Sequence, residues 1–433
     1  MSKINILIPV ETTSRELLYK IYLCHHLALK GFQCYLGRKS YINYLIKNLK
    51  GYIYIDKGYH KNVSETIYTH VKNKNGIIIN IDEEGGIDFN DGSTIRHRYT
   101  KTLFDNAYLT FMWGNQQYEL VKKNMNKENK VAVTGHPRFE LLKPEFHYLY
   151  EDEVNKIIIK YKDFILINTN MSFGNNIRGD KFVKAKYGSR FKKVDQIIEF
   201  DKLKLDAYQS LIQNLSYQLD KTIIIRPHPE EDHSFYLDAF NDIGNIHVVY
   251  EGSVIPWILA ADFMIHPDCT TGIESLFLGK KSLSFLPEDY PEDLITFLPL
   301  EASECFTSES DIISFINNNI DSTKKVDFKK YPFAEDYFSI SKTTTELIVA
   351  KIYQLKKDLN IKESAGPTFL ENIYLYLKHL KSVASKSDRL FSQKTTGFNT
   401  GNIQRLNKII KKNNSSLRKV KCKAMTNNLF VYN

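Results

Sequence analysis

Residues able to move a proton or hold a phosphate gather in a few short stretches of this 433-residue chain. In IIIRPHPEED, residues 223–232, an apolar β-branched run ends in Arg226 and in His228, which is set between Pro227 and Pro229. The pyrrolidine rings restrict the backbone, so an imidazole and a guanidinium are held at a strand end, a pairing suited to a phosphate or carboxylate. Loop closure is the plainer account, because His-Pro occurs three times, at His136, His228 and His266. In HPDCTTGIESLFLGKKSL, residues 266–283, the small polar run Cys269, Thr270, Thr271, Gly272 precedes the helix-spaced apolar residues Ile273, Leu276 and Phe277. Backbone N–H groups and hydroxyls at such a helix start bind phosphate, and Glu274 in the first turn is placed to accept from a ribose diol. Ordinary capping by Thr270 or Thr271 explains the same residues.

Asp82, Glu83 and Glu84 end a second apolar run, in INIDEEGGIDFNDG, residues 79–92, and are followed by Gly85 and Gly86. Three adjacent carboxylates repel one another, so one is expected to have a raised pKa and to accept a proton near neutrality. A solvated acidic turn is the alternative. In NTNMSFGNN, residues 168–176, Asn170 and Ser172 lie in a small polar loop suited to a sugar or phosphate. In VETTSREL, residues 10–17, Glu11 and Arg15 follow the first apolar run, where Arg15 would steer an anionic group. These last two stretches serve equally well as capping loops.

Such loops need a scaffold. KINILIPV reads as a strand, Thr12, Thr13 and Ser14 offer N-cap oxygens, and RELLYKIYLCHHLALKG has apolar residues at helical spacing up to Gly31. FQCYLG, GYIYID, GIIINI, AYLTFMWG and KVAVTG continue the alternation. After a polar stretch at 143–163 it restarts with FILINTN, LDAYQSLIQNLSYQL, KTIIIRPHP, IHVVYEG and ADFMIHPDCTTGIESLF. Strands alternating with helices predict parallel sheets whose ligands sit beyond the carboxyl ends of the strands. The expected α/β architecture is therefore two Rossmann-like doubly wound domains, at 1–145 and 164–345. A linker at 146–163 joins them, a helix at 346–360 closes the body, and a basic helical or extended tail covers 361–433.

Hydrophobic residues make up 42% and charged residues 25% of the chain, and 53 of its 55 aromatics are Tyr or Phe, which excludes wholesale disorder. No apolar run approaches the roughly 18 residues of a membrane span, and Ile4 to Val10 is too short and interrupted for a secretory core, so the expected location is the cytoplasm. Cys24, Cys34, Cys269, Cys305 and Cys422 are odd in number and lack metal-site spacing, which argues against a disulfide framework or a zinc site.

Taken together, the motifs resemble those of metal-independent glycosyltransferases of the GT-B fold that use CMP-activated acidic sugars, namely bacterial sialyl-, polysialyl- and Kdo-type transferases. Their acid-acid-Gly, His-Pro and Ser/Thr-pair motifs read here as Glu83-Glu84-Gly85, His228-Pro229 and Thr270-Thr271. The chain also resembles bacterial surface carbohydrate biosynthesis proteins in IPVE at 8–11, DEEG at 82–85 and VTGHPRF at 133–139. The resemblance implies a transferase of surface polysaccharide assembly, for capsule or lipopolysaccharide, that moves a Kdo or sialic-type 2-keto sugar from a CMP-sugar to a glycan acceptor. It further implies an N-terminal acceptor domain, with Glu11 and Arg15 near the acceptor, and a C-terminal donor domain. Glu83 or Glu84 would activate the acceptor hydroxyl. His228, Pro229, Arg226, Thr270, Thr271, Gly272, Glu274, Asn170 and Ser172 would bind donor and nucleotide, with no metal and no resident cofactor. Arg226, Arg178 and Lys181 are candidates for the donor's own carboxylate. Thr-Thr stands where those transferases carry a Ser pair. Two other enzymes fit the same fold, a UDP-GlcNAc 2-epimerase and a CDP-polyol phosphotransferase.

Charge is concentrated late in the chain. Residues 361–433 hold 14 Lys and Arg against 3 Asp and Glu, whereas the first 360 hold 45 against 47. Docking on an anionic inner membrane face, beside a lipid-linked glycan acceptor, is the expected use. Nucleic-acid binding is the non-enzymatic alternative, disfavoured because aromatics are not interleaved with the basic run. A solvated tail is the plainest account.

Overall fold

The computed structural model describes residues 3–84, 92–125, 131–188, 191–250, 252–287, 290–319, 326–359, 361–384 and 394–433. The chain divides into two compact α/β units, one holding residues 1–86, 92–141 and 332–433 and the other holding 142–331.

In the first unit, β1 (Asn5–Val10), β2 (Gln33–Arg38), β3 (Tyr52–Asp56), β4 (Ile77–Ile81), β5 (Leu109–Met112) and β6 (Val131–Val133) are parallel and ordered β2–β1–β3–β4–β5–β6. All six residues of β1 and all five of β3 are buried, as expected of strands covered on both faces. Chain direction across the sheet reverses between β1 and β3, so the loops after these strands diverge and leave a crevice at their carboxyl ends. The helix Thr13–Leu29 lays Leu17, Ile21, Cys24 and Leu27 into the core. One face of this core is rich in tyrosine, including Tyr35, Tyr41, Tyr52, Tyr54, Tyr68 and Tyr99. Those hydroxyls need partners once buried. Tyr68 and Tyr54 donate to Asp56, whose pKa burial raises.

The second unit carries β7 (Phe164–Asn168), β8 (Thr222–Arg226), β9 (Ile246–Val248), β10 (Phe263–His266), β11 (Ser282–Phe285) and β12 (Glu304–Phe306). All are parallel, in the order β12–β11–β10–β7–β8–β9. Its reversal falls between β7 and β10. The 25-residue helix Val194–Gln218 covers one face with Leu205, Tyr208, Leu211, Ile212 and Leu215. Both units are Rossmann-like doubly wound sheets, and no described helix is long and apolar enough to cross a membrane.

Three expected boundaries differ. The 146–163 stretch is not a free linker, because the helix Glu151–Tyr161 buries Ile157 and packs on the helix Ile255–Ala260 of the second unit. The second unit ends at residue 331, and the helix Pro332–Phe338 already belongs to the first. The closing helix, Thr344–Asp358, packs on Thr13–Leu29 and on the short helix Pro137–Glu140. Most of the 361–433 tail is likewise part of the first unit. Two strands, β13 (Cys422–Thr426) and β14 (Leu429–Tyr432), form an antiparallel hairpin whose second strand pairs with β2, placing Phe430 opposite Leu36. The sheet edge left open by β2 demands such a cover, and Leu429, Phe430 and Tyr432 are buried by it.

Candidate active site

At the carboxyl end of β4 the three adjacent acids part company. Asp82 is buried and receives Arg98 Nε at 2.8 and 3.0 Å, while Arg98 Nη1 also reaches Glu84 at 2.9 Å. Burial opposes the charge on Arg98, but Asp82 and Glu84 outweigh it and raise the pKa of the guanidinium. Glu84 remains partly exposed, with 40% of its side chain accessible. Glu83 turns to the helix after β1. Its Oε1 accepts from the Tyr19 hydroxyl and lies 2.8 Å from Lys20 Nζ, which also reaches Glu16 at 2.6 Å and donates to Pro9 O at 2.9 Å. The expected crowding of carboxylates is thus relieved by separate partners. Gly85 of the acid-acid-Gly motif, and Gly86, lie outside the described residues.

Lysines extend this network across the crevice between β1 and β3. Lys57, just past β3, contacts Glu11 at 3.0 Å and Glu16 at 3.2 Å, and Lys39 reaches Glu11 at 3.4 Å. Glu16 accepts the backbone N–H groups of Glu11 and Thr12, satisfying donors that open the helix. Burial favours the neutral form of Glu16, but Lys20 and Lys57 prevail and depress its pKa. The same contest, with Lys57 and Lys39, brings Glu11 down to about 2. Glu11 therefore engages two lysines of its own unit, and Arg15 is half-buried one residue before Glu16.

The three His-Pro corners share one geometry. Proline lacks an N–H, and the imidazole Nδ1 accepts from a backbone N–H further on: Arg138 to His136 at 3.1 Å, Glu230 to His228 at 3.2 Å, Cys269 to His266 at 3.3 Å. Occupied in this way, Nδ1 carries no proton, and each neutral ring presents Nε2–H. For His266 that N–H meets Ser303 Oγ at 2.9 Å, and burial lowers the pKa to about 4. For His136 it faces Glu83 Oε2 at 3.8 Å. Both of these atoms are buried and neither has a hydrogen-bond partner among the described residues. Burial, helped by Arg138 and Lys20, drives the His136 pKa well down. His136 was visible in the sequence only as one of three His-Pro pairs, with nothing to link it to Glu83.

In the second unit, the loops after β7, β8 and β10 come from adjacent strands. His228 is half-buried, and its backbone N–H donates to Thr169 Oγ1 at 3.3 Å. Pro229 is half-buried beside it, as is Asn170, whereas Ser172 is buried. Arg226, expected to face a ligand anion, is buried, donates to Gly252 O at 3.2 Å and lies over the Trp257 ring at 5.1 Å. A carboxyl with a raised pKa lies here. Glu231 is fully buried and accepts from Thr169, Met171 N and Tyr236, and burial lifts its pKa to about 7. Nothing in the sequence shows that this turn faces inward.

The helix after β10, Thr271–Phe277, starts without a side-chain cap from Thr270. Thr271 Oγ1 is buried beside Cys269, and Glu274 is buried. Gly272 is required by packing, since a Cβ there would lie 2.5 Å from His266 Nε2 and 3.0 Å from Ser303 Oγ.

No protein-family profile and no curated protein sequence matches this chain. Solved structures do. The UDP-GlcNAc 2-epimerase of Methanocaldococcus jannaschii, in complex with UDP-GlcNAc and UDP, matches with a TM-score of 0.52 at 12% identity, over 81% of this chain and 100% of that one. That of Neisseria meningitidis, bound to UDP-GlcNAc, gives 0.50 at 11% identity over 81% and 100%. A Listeria monocytogenes protein described as a UDP-N-acetylglucosamine 2-epimerase gives 0.50 at 13% identity over 84% and 100%. At such identities the likeness speaks to architecture, and it establishes that this chain has the GT-B fold.

Proposed function

We propose that the chain is a glycosyltransferase acting on a nucleotide-activated sugar. In this reading Glu83 is the base for the acceptor hydroxyl, and the loops after β7, β8 and β10 hold the leaving phosphate through His228, Thr270 and Thr271. The observation that carries it is the pair of buried, unsatisfied atoms Glu83 Oε2 and His136 Nε2, 3.8 Å apart. Unpaired buried polar groups are rare and call for a ligand or a role. An acceptor hydroxyl seated there would donate to Glu83 and accept from His136, which aligns its lone pair. As the oxygen bonds to the anomeric carbon, its proton passes to Glu83 and the bond to the phosphate breaks with its electron pair. His228 Nε2–H is the donor that would meet the developing phosphate charge.

The motif order Glu83-Glu84, His228-Pro229, Thr270-Thr271 favours a CMP-linked acidic 2-keto sugar as donor and a surface glycan as acceptor. A second reading, an epimerase acting on UDP-GlcNAc, draws on the ligand held by two of the similar structures. The test is a melting-temperature panel with CMP, UDP and CDP, followed by turnover of CMP-sugars. CMP should stabilise the protein, and His228→Ala should abolish that shift. Glu83→Gln should keep the shift and lower kcat by roughly 10²–10⁴-fold. Stabilisation by UDP alone, or full turnover by Glu83→Gln, would defeat the proposal.

A further inference from the structure

The helix Phe369–Ala384 wears its apolar side outward. Phe369 and Leu370 are 78% and 76% exposed, and Ile373, Tyr376, Leu377 and Leu380 are 41–55% exposed, whereas Leu375 on the opposite side is fully buried. At about 100° per residue these exposed positions form one stripe, flanked by Lys378 and Lys381. The helix is fixed in place: Tyr374 stacks on Tyr44 at 4.5 Å, and Lys378 donates to Ser40 O at 2.7 Å.

Basic side chains line a neighbouring concavity. The helix Thr400–Asn413, the turn Ser415–Lys419 and β13 enclose a groove of about 470 Å³ lined by Lys408, Lys411, Lys412, Arg418, Asn407 and Cys422. The two features lie on opposite faces of the hairpin: Leu375 shares a core with Leu429 and Val431, whereas Cys422 of the groove is opposite Tyr432 on the other face, and Lys423, opposite Val431, belongs to the helix's side. Lys421 and Lys423 of that hairpin are exposed as well.

We infer that the Phe369–Ala384 side of the first unit docks on an anionic lipid bilayer, with that helix lying in the interface and Lys381, Lys421 and Lys423 meeting lipid phosphates. Charge decides between occupants. With 14 basic against 3 acidic residues over 361–433, a second copy of this face would be repelled, whereas an anionic leaflet is attracted. An exposed stripe of Phe, Tyr, Leu and Ile bordered by lysines is the composition that settles at the headgroup boundary. The inference is independent of the reaction assigned above.

The test is co-sedimentation of the full chain with phosphatidylcholine vesicles, with and without 30 mol% phosphatidylglycerol, a composition on the order of that needed for basic clusters to bind. Binding should require the anionic lipid. Phe369→Ser/Leu377→Ser should weaken it at least roughly tenfold, since both side chains would leave the interface. Lys381→Gln/Lys421→Gln/Lys423→Gln should weaken it about fivefold per charge at low salt and much less at high salt. All five positions are exposed, so melting temperatures should hold and loss of fold cannot account for the result. Absence of binding, or binding indifferent to the apolar variant, overturns the inference. So does a dimer that Phe369→Ser/Leu377→Ser converts to monomer, or stabilisation by inorganic phosphate without vesicle binding.

Discussion

Replacing Lys20 by Met removes the cation around which the first unit's acids are arranged. Lys20 is 3% exposed and lies 2.6 Å from Glu16 and 2.8 Å from Glu83. Glu16 would keep Lys57 at 3.2 Å and two backbone N–H groups, so its charge stays compensated. Glu83 would keep the Tyr19 hydroxyl on Oε1 and the more distant charge of Lys57, because no other lysine or arginine among the described residues is paired with it and His136 is neutral. Stranding one member of a buried pair costs about 3–5 kcal/mol. Since one of the two acids is still served, the low end applies, about 3 kcal/mol. For a domain of this size that lowers the melting temperature by about 6–12 °C, read by calorimetry or near-UV circular dichroism. Lys20→Met/Glu83→Gln should recover most of the stability, because both charges leave together. A single variant within 1 kcal/mol of wild type, or a double variant equal to the sum of the two singles, would refute the network.

Glu231 supplies a pH signature. Its folded pKa of about 7 stands above its ordinary 4.5, so the folded state binds more protons in that window. Stability should fall by up to about 3 kcal/mol as pH rises from about 4.5 to about 7, then level off. Glu231→Gln should flatten that slope in urea titrations, and an unchanged slope would place the proton elsewhere. Gly272→Ala should destabilise the second unit by about 1–3 kcal/mol, since its Cβ must displace His266 from Ser303. Its melting temperature checks this. Truncation before Cys422 should yield no folded first unit, because three buried side chains worth about 1.5–3 kcal/mol each would be lost and the edge of β2 opened. Soluble expression and circular dichroism decide it.

The βα alternation was legible because parallel strands covered on both faces must be continuously apolar, as in residues 5–10, 164–168 and 222–226. The His228 corner and the Thr270 start were legible for the same reason, since they follow such strands. The hairpin Cys422–Tyr432 was not. Its first strand exposes Lys423 and Ala424 to solvent, so local charge hid the buried run Leu429–Tyr432 beside it. Long-range pairing hid the rest. Nothing local to Glu83 names Tyr19, Lys20 or His136 as its neighbours, and nothing in PEED says that Glu231 points inward while Glu230 pairs with Tyr187. The cations that part the three acids, Arg98 and Lys20, arrive from elsewhere in the fold, and no local pattern announces them.

The strand that seals β2 leaves the ribosome long after the strand it pairs with. The amino-terminal sheet must therefore wait, with its β2 flank unpaired, while all of residues 142–331 emerges and acquires its own core. Nascent chains in that interval present an open edge made of Gln33–Arg38, a site for chaperone capture or mispairing that closes only once Leu429–Tyr432 has emerged.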